Sequence, residues 1–270
     1  SLLENRDLNG ITDQDSSKID FDCLKKWKFP LLLKAAKTFQ KTHKYNQNND
    51  FTAFCKMNEH WLDSYAAYKV LKDKNNDLPW FEWDDDLKCF NGKAIERVLQ
   101  YEVEELEIIK IIQYFFNKQW HSLKNYANEK NISLIGDLPI YISHDSVDVW
   151  ANQQLFKLDD DGNMMVKSGC PPDYFMEEGQ VLGHPIYNWQ KHKEDNYSWC
   201  ISRLSFLAST VDFVRFDHFN GILKYWEIPV DHKNGINGRW RNGPGRQFVN
   251  TLYDKITQLK ILAEDLGELS

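Results

Sequence analysis

The stretch VDFVRFD, residues 211–217, is a short apolar run that ends in an acidic residue. Two further runs have the same form: ISLIGD at 132–137 precedes it and KILAED at 260–265 follows it. Nearly continuous apolar runs of this length are typical of buried parallel strands. The three runs therefore predict three strands of one parallel sheet, each with a carboxylate at its C-terminal end.

Helical patterns lie before two of these runs. Apolar residues recur at three- and four-residue steps over 102–128, and residues 253–259 lead into the third run. Alternating helices and strands predict an α/β fold. In a parallel α/β barrel the catalytic groups lie at the C-terminal ends of the strands, which is where the acidic residues fall here.

Strand alternation adds a candidate pair of catalytic groups. Residues two apart share a face, so Arg215 is expected to hold Asp217 ionised and to lower its pKa. Glycoside chemistry needs an ionised carboxylate and a separate protonatable one, and Glu264 supplies the second. The alternative is that acids at strand ends merely cap the helices that follow.

The first half of the chain has a different pattern. Residues 1–130 are predicted to be mainly helical, with amphipathic helices over 54–71 and 102–128 and a loop at 74–79. The aromatic residues in these helices are interpreted as packing residues. The predicted organisation is a helical inserted subdomain over 1–130 and a catalytic part over 131–270.

Composition narrows the class of protein. The 270 residues carry a net charge of −7, which disfavours nucleic acid and anionic membranes as partners. No run approaches 18 consecutive apolar residues, so no transmembrane helix is expected. Five widely spaced cysteines without a C-x-x-C indicate a reducing compartment rather than a disulfide framework or a zinc ribbon. The chain starts at Ser1 without Met, so the natural N-terminus is expected to be absent.

Other chemistries find little support in the sequence. The segment DDDGN at 159–163 is acidic like a calcium loop, but Gly162 is in its fourth position and Cys170 in its twelfth, so a turn is predicted. The eight histidines show no H-E-x-x-H spacing. The GPG at 243–245 lacks the lysine of a phosphate loop, and no metal or cofactor is predicted.

Several longer motifs together resemble the 4-α-glucanotransferases, the amylomaltases or disproportionating enzymes of the α-amylase clan. The match is colinear over nearly the whole chain. Its motifs are WLDSYA at 61–66, GDLPIY at 136–141, HDSVDVW at 144–150, PPDYF at 171–175, GHPIYNW at 183–189, VRFDHFNG at 214–221, NGRW at 237–240 and AEDLG at 263–267.

This resemblance implies a (β/α)₈ TIM barrel with an inserted helical subdomain and a retaining double displacement without a cofactor. Asp217 would be the nucleophile, Glu264 the acid and base, and Arg215 the residue that orients Asp217. The partners would be malto-oligosaccharides and α-1,4-glucans, with the oligomeric state undetermined. The location would be cytoplasmic, or plastid in a plant.

The resemblance also implies substrate-binding residues: Asp137, His218, Pro172, Asp173, Gly179, Gln180 and Leu182. Most of them lie in the segment 169–189, which is similar to the family's flap over the acceptor. The family has Trp where this chain has Leu182, so a stacking contact with glucose is expected to be weaker.

By the same mapping the chain holds the third to fifth barrel strands. The other five strands and the third catalytic carboxylate would lie outside the sequence, so the 270 residues alone are expected to be inactive. The carboxyl groups of Asp217 and Glu264 are expected about 5–5.5 Å apart. Two alternatives stay open: an α-amylase-type hydrolase, or a degenerate glucan-binding homologue, which the presence of both carboxylates disfavours.

Overall fold

A computed structural model describes residues 2–9, 18–42, 49–90, 92–258 and 260–264. The chain divides into two compact units. One contains the described residues of Ser1–Asp77 and Gly92–Gln119, and the other those of Leu78–Asn91 and Trp120–Ser270. The sequence predicts a boundary at residue 130 between an inserted helical subdomain and the barrel. This boundary refers to the complete barrel, so it stays a prediction.

Helices and strands alternate along the second unit, while the first is helical. The described helices are α1 (Phe21–Lys41), α2 (Asn49–Met57), α3 (Glu59–Lys74), α4 (Asp85–Lys88), α5 (Gly92–Tyr101), α6 (Val103–Glu129), α7 (Val147–Ala151), α8 (Trp189–Glu194), α9 (Ser198–Thr210) and α10 (Gly245–Lys255). The described strands are β1 (Ile135–Leu138), β2 (Val166–Cys170), β3 (Gln180–Pro185), β4 (Phe213–Phe216), β5 (Lys224–Pro229), β6 (Arg239–Asn242) and β7 (Ile261–Ala263). Within the described ranges, no helix combines the length and apolar character needed to cross a bilayer.

Aromatic residues form the core of the helical unit, as the sequence pattern predicts. Phe39 packs edge-on against Phe51, with ring centroids 6.1 Å apart, and both rings contact Tyr114 of α6. Phe54 and Leu62 are buried in the same cluster. Edge-to-face rings are favourable because the positive edge of one meets the negative face of the other.

The prediction of a single helix over 54–71 is wrong, because the helix is interrupted at Asn58. The Asn58 side-chain amide donates to the carbonyl oxygen of Phe54 at 2.8 Å, and its oxygen accepts from the Trp61 indole at 3.0 Å. Asparagine competes in this way with the backbone hydrogen bonds of a helix interior. The break leaves Met57 exposed, although the pattern placed it on the buried face.

The helix predicted over 102–128 is confirmed as α6, with a buried face that differs in part from the expected one. Leu106, Ile111 and Ala127 are buried. Phe116 and Leu123, which the periodicity assigned to the buried stripe, are exposed. The helix contributes residues to both units, so one straight stripe does not describe its packing.

The three predicted strands form one parallel sheet in the order β1-β4-β7. The register aligns Asp137 of β1 with Arg215 of β4, and Arg215 with Leu262 of β7. Gly136 allows close packing beneath β1, because a Cβ there would lie 2.9 Å from the Val211 side chain. Within the described residues this sheet is open, and no closed barrel is formed.

A second sheet, which the sequence patterns did not indicate, is antiparallel and has the order β3-β2-β5-β6. Its strands pair Gly169 with Trp226, and Trp226 with Trp240. Within the segment 169–189, residues 169–170 belong to β2 and residues 180–185 to β3. The connection 171–179 and residues 186–188 lie outside the strands, and α8 begins at residue 189.

Candidate active site

The C-terminal edge of the parallel sheet gathers three carboxylates. Asp137 belongs to β1, Asp217 follows β4 directly, and Glu264 follows β7 directly. The Asp217 N–H donates to the carbonyl of Leu138 at 3.0 Å, and the Glu264 N–H donates to that of Phe216 at 3.1 Å. These backbone bonds continue the sheet by one residue and fix both acids at its edge.

Arg215 contacts all three carboxylates. Its Nη1 lies 2.7 Å from Oδ1 of Asp137, and its Nη2 lies 3.1 Å from Oδ1 of Asp217. The same Nη2 also contacts Oε1 of Glu264. The planar guanidinium suits this role because its donors point in several fixed directions. Bonds to Asp137 and Glu264 raise the pKa of Arg215, so it stays a cation.

Glu264 also receives a backbone donor. The His218 N–H donates to Oε2 of Glu264 at 2.7 Å. His218 adopts the left-handed conformation, with φ of 49° and ψ of 47°. This N–H, together with contacts from Asp217 and Arg215, lowers the pKa of Glu264.

The pKa of Asp217 is raised overall, so the expected net lowering by Arg215 is wrong. Burial is the largest cause, followed by the hydrogen bond and the negative charge of Glu264. Arg215 does lower the pKa, but these effects outweigh it. The pKa values of the two neighbouring carboxyl groups are therefore shifted in opposite directions, and that of Glu264 is the lowered one because it accepts the His218 N–H.

The remaining predicted binding residues lie on the antiparallel sheet and its connection. Asp173, which follows Pro172, accepts the N–H groups of Phe175 and Met176 at 2.8 and 2.7 Å, so its carboxylate shapes the turn of the connection. Within the described residues, no hydrogen bond or ion pair joins the connection 171–179 to the Arg215 cluster.

Glycine is required where the connection meets β3. Gly179 has φ of 65°, and a Cβ there would lie 2.6 Å from the carbonyl oxygen of Cys170. The next residue, Gln180, pairs with Cys170 across the strands. Leu182 follows with 38% of its surface exposed, which leaves room for a larger side chain.

A second charged cluster was missed by the sequence reasoning. Glu227 of β5, 2% exposed, bonds Lys157, both Nε and Nη2 of Arg239 (3.1 and 3.0 Å), and Nε of Arg241 (3.2 Å). Burial raises the pKa of Glu227, but the three cations outweigh burial and lower it. The available signal was the alternation of Arg239 and Arg241, which places both on one face of a strand.

In the parts of the chain that the structure describes, no group of three or more His, Cys, Asp or Glu residues is arranged to hold a metal ion. The acidic segment 159–163 is a turn, as predicted. Asp159 Oδ1 accepts the N–H groups of Asp161 and Asn163 at 3.0 and 2.8 Å, so its carboxylate is used within the turn.

Comparison of the chain with known proteins identifies its relatives. The family model described as 4-alpha-glucanotransferase matches residues 2–270. The 4-alpha-glucanotransferase of Streptococcus pneumoniae is 39% identical over 268 residues, covering 98% of this chain and 52% of the relative. That of Aquifex aeolicus is 37% identical, covering 98% of this chain and 53% of the relative. The chain thus spans about half the length of these curated relatives.

A solved structure agrees with the sequence matches. The amylomaltase from Streptococcus agalactiae in complex with acarbose has a TM-score of 0.92 and 36% identity, and covers 100% of this chain and 54% of the solved chain. With a family model that matches from residue 2 to residue 270, the chain belongs to the 4-alpha-glucanotransferase family.

Proposed function

We propose that this chain carries the reacting groups of a retaining 4-α-glucanotransferase, an enzyme that moves α-1,4-glucan segments from a donor to the 4-hydroxyl of an acceptor. The observation that carries the proposal is the contact of Arg215 with Asp137, Asp217 and Glu264 at adjacent strand ends. Family membership and the likeness to an amylomaltase support it. In this proposal β1, β4 and β7 are the third to fifth strands of a (β/α)₈ barrel.

In the first half-reaction, an oxygen of Asp217 attacks the anomeric carbon of the donor. The glycosidic bond breaks, and Glu264 gives its proton to the leaving oxygen. This step needs Asp217 ionised and Glu264 protonated. Without substrate the pKa of Asp217 is raised and that of Glu264 is lowered, so in this proposal the bound donor reverses that tendency.

In the second half-reaction, the acceptor 4-hydroxyl attacks the same carbon and the bond to Asp217 breaks. Glu264 accepts the hydroxyl proton and returns to its protonated state. Arg215 keeps Asp217 oriented and Asp137 lines the donor side. The proposed steps use no cofactor.

The acceptor side is assigned to the connection 171–179 and β3. Pro172, Asp173, Gly179, Gln180 and Leu182 lie there, and the Asp173 turn holds the connection in a defined shape. An acceptor sugar bound here displaces water, which favours transfer over hydrolysis. His218 binds substrate beside the nucleophile, while its backbone N–H orients Glu264.

The test uses a chimera in which the 270 residues replace the segment they match in the Streptococcus pneumoniae relative. Incubation with maltotriose should give a ladder of longer oligosaccharides. Glucose and maltose alone would instead indicate a hydrolase. The 270 residues without the rest of the relative are expected to give no ladder.

Substitution of Glu264 tests its proposed role as the acid and base. Glu264→Gln in the chimera should slow transfer from maltotriose strongly, yet still react with α-glucosyl fluoride, whose leaving group needs no proton. Glu194→Gln, at an exposed carboxylate on α8, is the matched control and should leave the rate unchanged. Normal transfer by Glu264→Gln would show that the acid lies elsewhere.

A further inference from the structure

Two tryptophans form an ordered pair on the antiparallel sheet, outside the Arg215 cluster. Trp226 of β5 and Trp240 of β6 are cross-strand partners, with ring centroids 5.3 Å apart and planes at 74°. The Trp226 indole donates to the carbonyl of Gly235 at 2.9 Å. A Cβ at Gly238 would lie 2.1 Å from that indole nitrogen, so the backbone packs directly on Trp226.

Trp240 differs from its partner in exposure. Its side chain rests on the fixed ring of Trp226 but is 53% exposed, and its indole N–H donates to no group within the described residues. An aromatic ring held on a strand loses little conformational freedom when it binds a ligand. Trp240 thus presents a rigid ring and a spare hydrogen-bond donor.

The charges around Trp240 favour a neutral ligand. Strand alternation sends Arg239 and Arg241 to the opposite face of β6, where both bond Glu227. The two arginines next to Trp240 in sequence are therefore directed to Glu227 on the other face of the strand, and away from the Trp240 ring. A sugar ring is uncharged and combines apolar C–H faces with hydroxyl groups, which match an aromatic ring and an N–H donor.

The tryptophan pair is also continuous with the proposed acceptor side. The Gly235 N–H donates to the carbonyl of Glu178 at 2.8 Å, while the Gly235 carbonyl accepts from Trp226. A Cβ at Gly235 would lie 2.4 Å from the carbonyl oxygen of Cys170, so the two segments pack without space between them. Trp226, Gly235 and the connection 171–179 form one hydrogen-bonded unit.

We propose that Trp240 is a stacking platform for a glucose unit of a longer α-glucan, separate from the groups that carry out the reaction. This inference rests on the proposed function and adds a subsite to it. The platform serves long chains, which can reach both the connection 171–179 and Trp240. Maltotriose does not depend on it.

The experiment measures binding of maltoheptaose and maltotriose to the Glu264→Gln chimera by titration calorimetry, because this variant turns the sugars over only slowly. Trp240→Ala should raise the Kd for maltoheptaose roughly three- to tenfold, the range expected for loss of one aromatic contact. Trp240→Tyr should retain most of the affinity because a ring remains. Tyr101→Ala, at an aromatic residue of the helical unit that is 75% exposed, is the matched control and should change neither Kd.

The outcomes separate this inference from the proposed function. An unchanged Kd for maltoheptaose in Trp240→Ala would overturn the platform and leave the proposed function standing. Absence of binding of either sugar to the Glu264→Gln chimera with Trp240 intact, and of a ladder in the unsubstituted chimera, would overturn both. If Trp240→Ala instead abolished concentration-dependent self-association with no effect on sugar binding, this face would be a contact between copies, and the platform would be wrong.

Discussion

The two charged clusters of the second unit have opposite compositions. At the parallel sheet, one cation, Arg215, contacts three carboxylates, of which Asp217 is 38% exposed. At the antiparallel sheet, one carboxylate, Glu227, is almost fully buried and contacts three cations. In the first cluster one cation serves three acids, and the pKa of Asp217 is raised by burial and by the neighbouring Glu264. In the second cluster the three cations lower the pKa of Glu227, which favours its ionised form, and their contacts link β5 to β6.

The largest effect on stability is expected from removing the ion pairs of Glu227. Glu227→Gln leaves Lys157, Arg239 and Arg241 without their anion and should lower the free energy of unfolding by about 1–3 kcal/mol, because the charge-assisted hydrogen bonds are weakened while the partly exposed cations stay solvated. Urea unfolding followed by circular dichroism measures this. Glu194→Gln on α8, whose exposed carboxylate contacts one exposed lysine, should show no measurable change. Equal effects of the two substitutions would contradict the distinction between the clusters.

Removal of the single cation at the parallel sheet should act on the reaction. Arg215→Ala in the chimera should reduce the transfer rate from maltotriose about 100- to 1000-fold, because the charge that orients Asp217 is lost. Arg215→Lys should recover only part, since an ammonium group cannot bridge three carboxylates. Arg241→Ala, which leaves two cations on Glu227, should keep the rate near normal. A fully active Arg215→Ala would remove Arg215 from the proposed mechanism.

A smaller effect is expected where Leu182 replaces the family's tryptophan. Leu182→Trp offers a ring to the acceptor-side sugar, a contact of roughly 0.5–1.5 kcal/mol. The KM of the chimera for long malto-oligosaccharides should fall several-fold, with kcat unchanged. An unchanged KM would show that another residue already fills this position.

The smallest expected effect concerns the raised pKa of Asp217. A carboxyl group whose pKa is higher in the folded state makes its ionised form unfavourable there, so Asp217 destabilises the fold at neutral pH, and this cost disappears as the pH falls below the pKa. Asp217→Asn should therefore raise the Tm slightly at pH 7, with a gain that vanishes at low pH. Asp159→Asn, at a carboxylate whose pKa is lowered by the N–H of Asn163, should not raise it. A lower Tm for Asp217→Asn at pH 7 would contradict a raised pKa of Asp217 in the folded state.

The parallel sheet could be predicted because its signals are local. Each strand is a short apolar run, and the acid that follows it is fixed by the chain itself, so Asp137, Asp217 and Glu264 were found from the sequence. Of the three contacts of Arg215, the sequence predicted the one with Asp217, whereas those with Asp137 and Glu264 depend on the register of the sheet. The direction of the Asp217 pKa did not follow, because it depends on burial and on the distance to Glu264.

The antiparallel sheet could not be predicted from the same kind of pattern. β2 pairs with β5, about sixty residues further along, and β2 contains Ser168 and Gly169, which give no apolar run. The Glu227 cluster is equally non-local, since Arg239 reaches Glu227 through the pairing of β5 with β6 and Lys157 lies 70 residues before Glu227. The helix break at Asn58 was missed because the apolar spacing continues across it.

The role of Asp217 as the nucleophile is the central claim, and trapping of the covalent intermediate tests it most directly. The Glu264→Gln chimera is incubated with 5-fluoro-α-glucosyl fluoride, so that fluoride leaves C1 as the bond to the enzyme forms, and the peptides are then analysed by mass spectrometry. The account predicts one added fluoroglucosyl group on the peptide that contains Asp217, and none in the Asp217→Asn, Glu264→Gln double variant. A label on Asp137 or another residue, or a label that persists in the double variant, would contradict it.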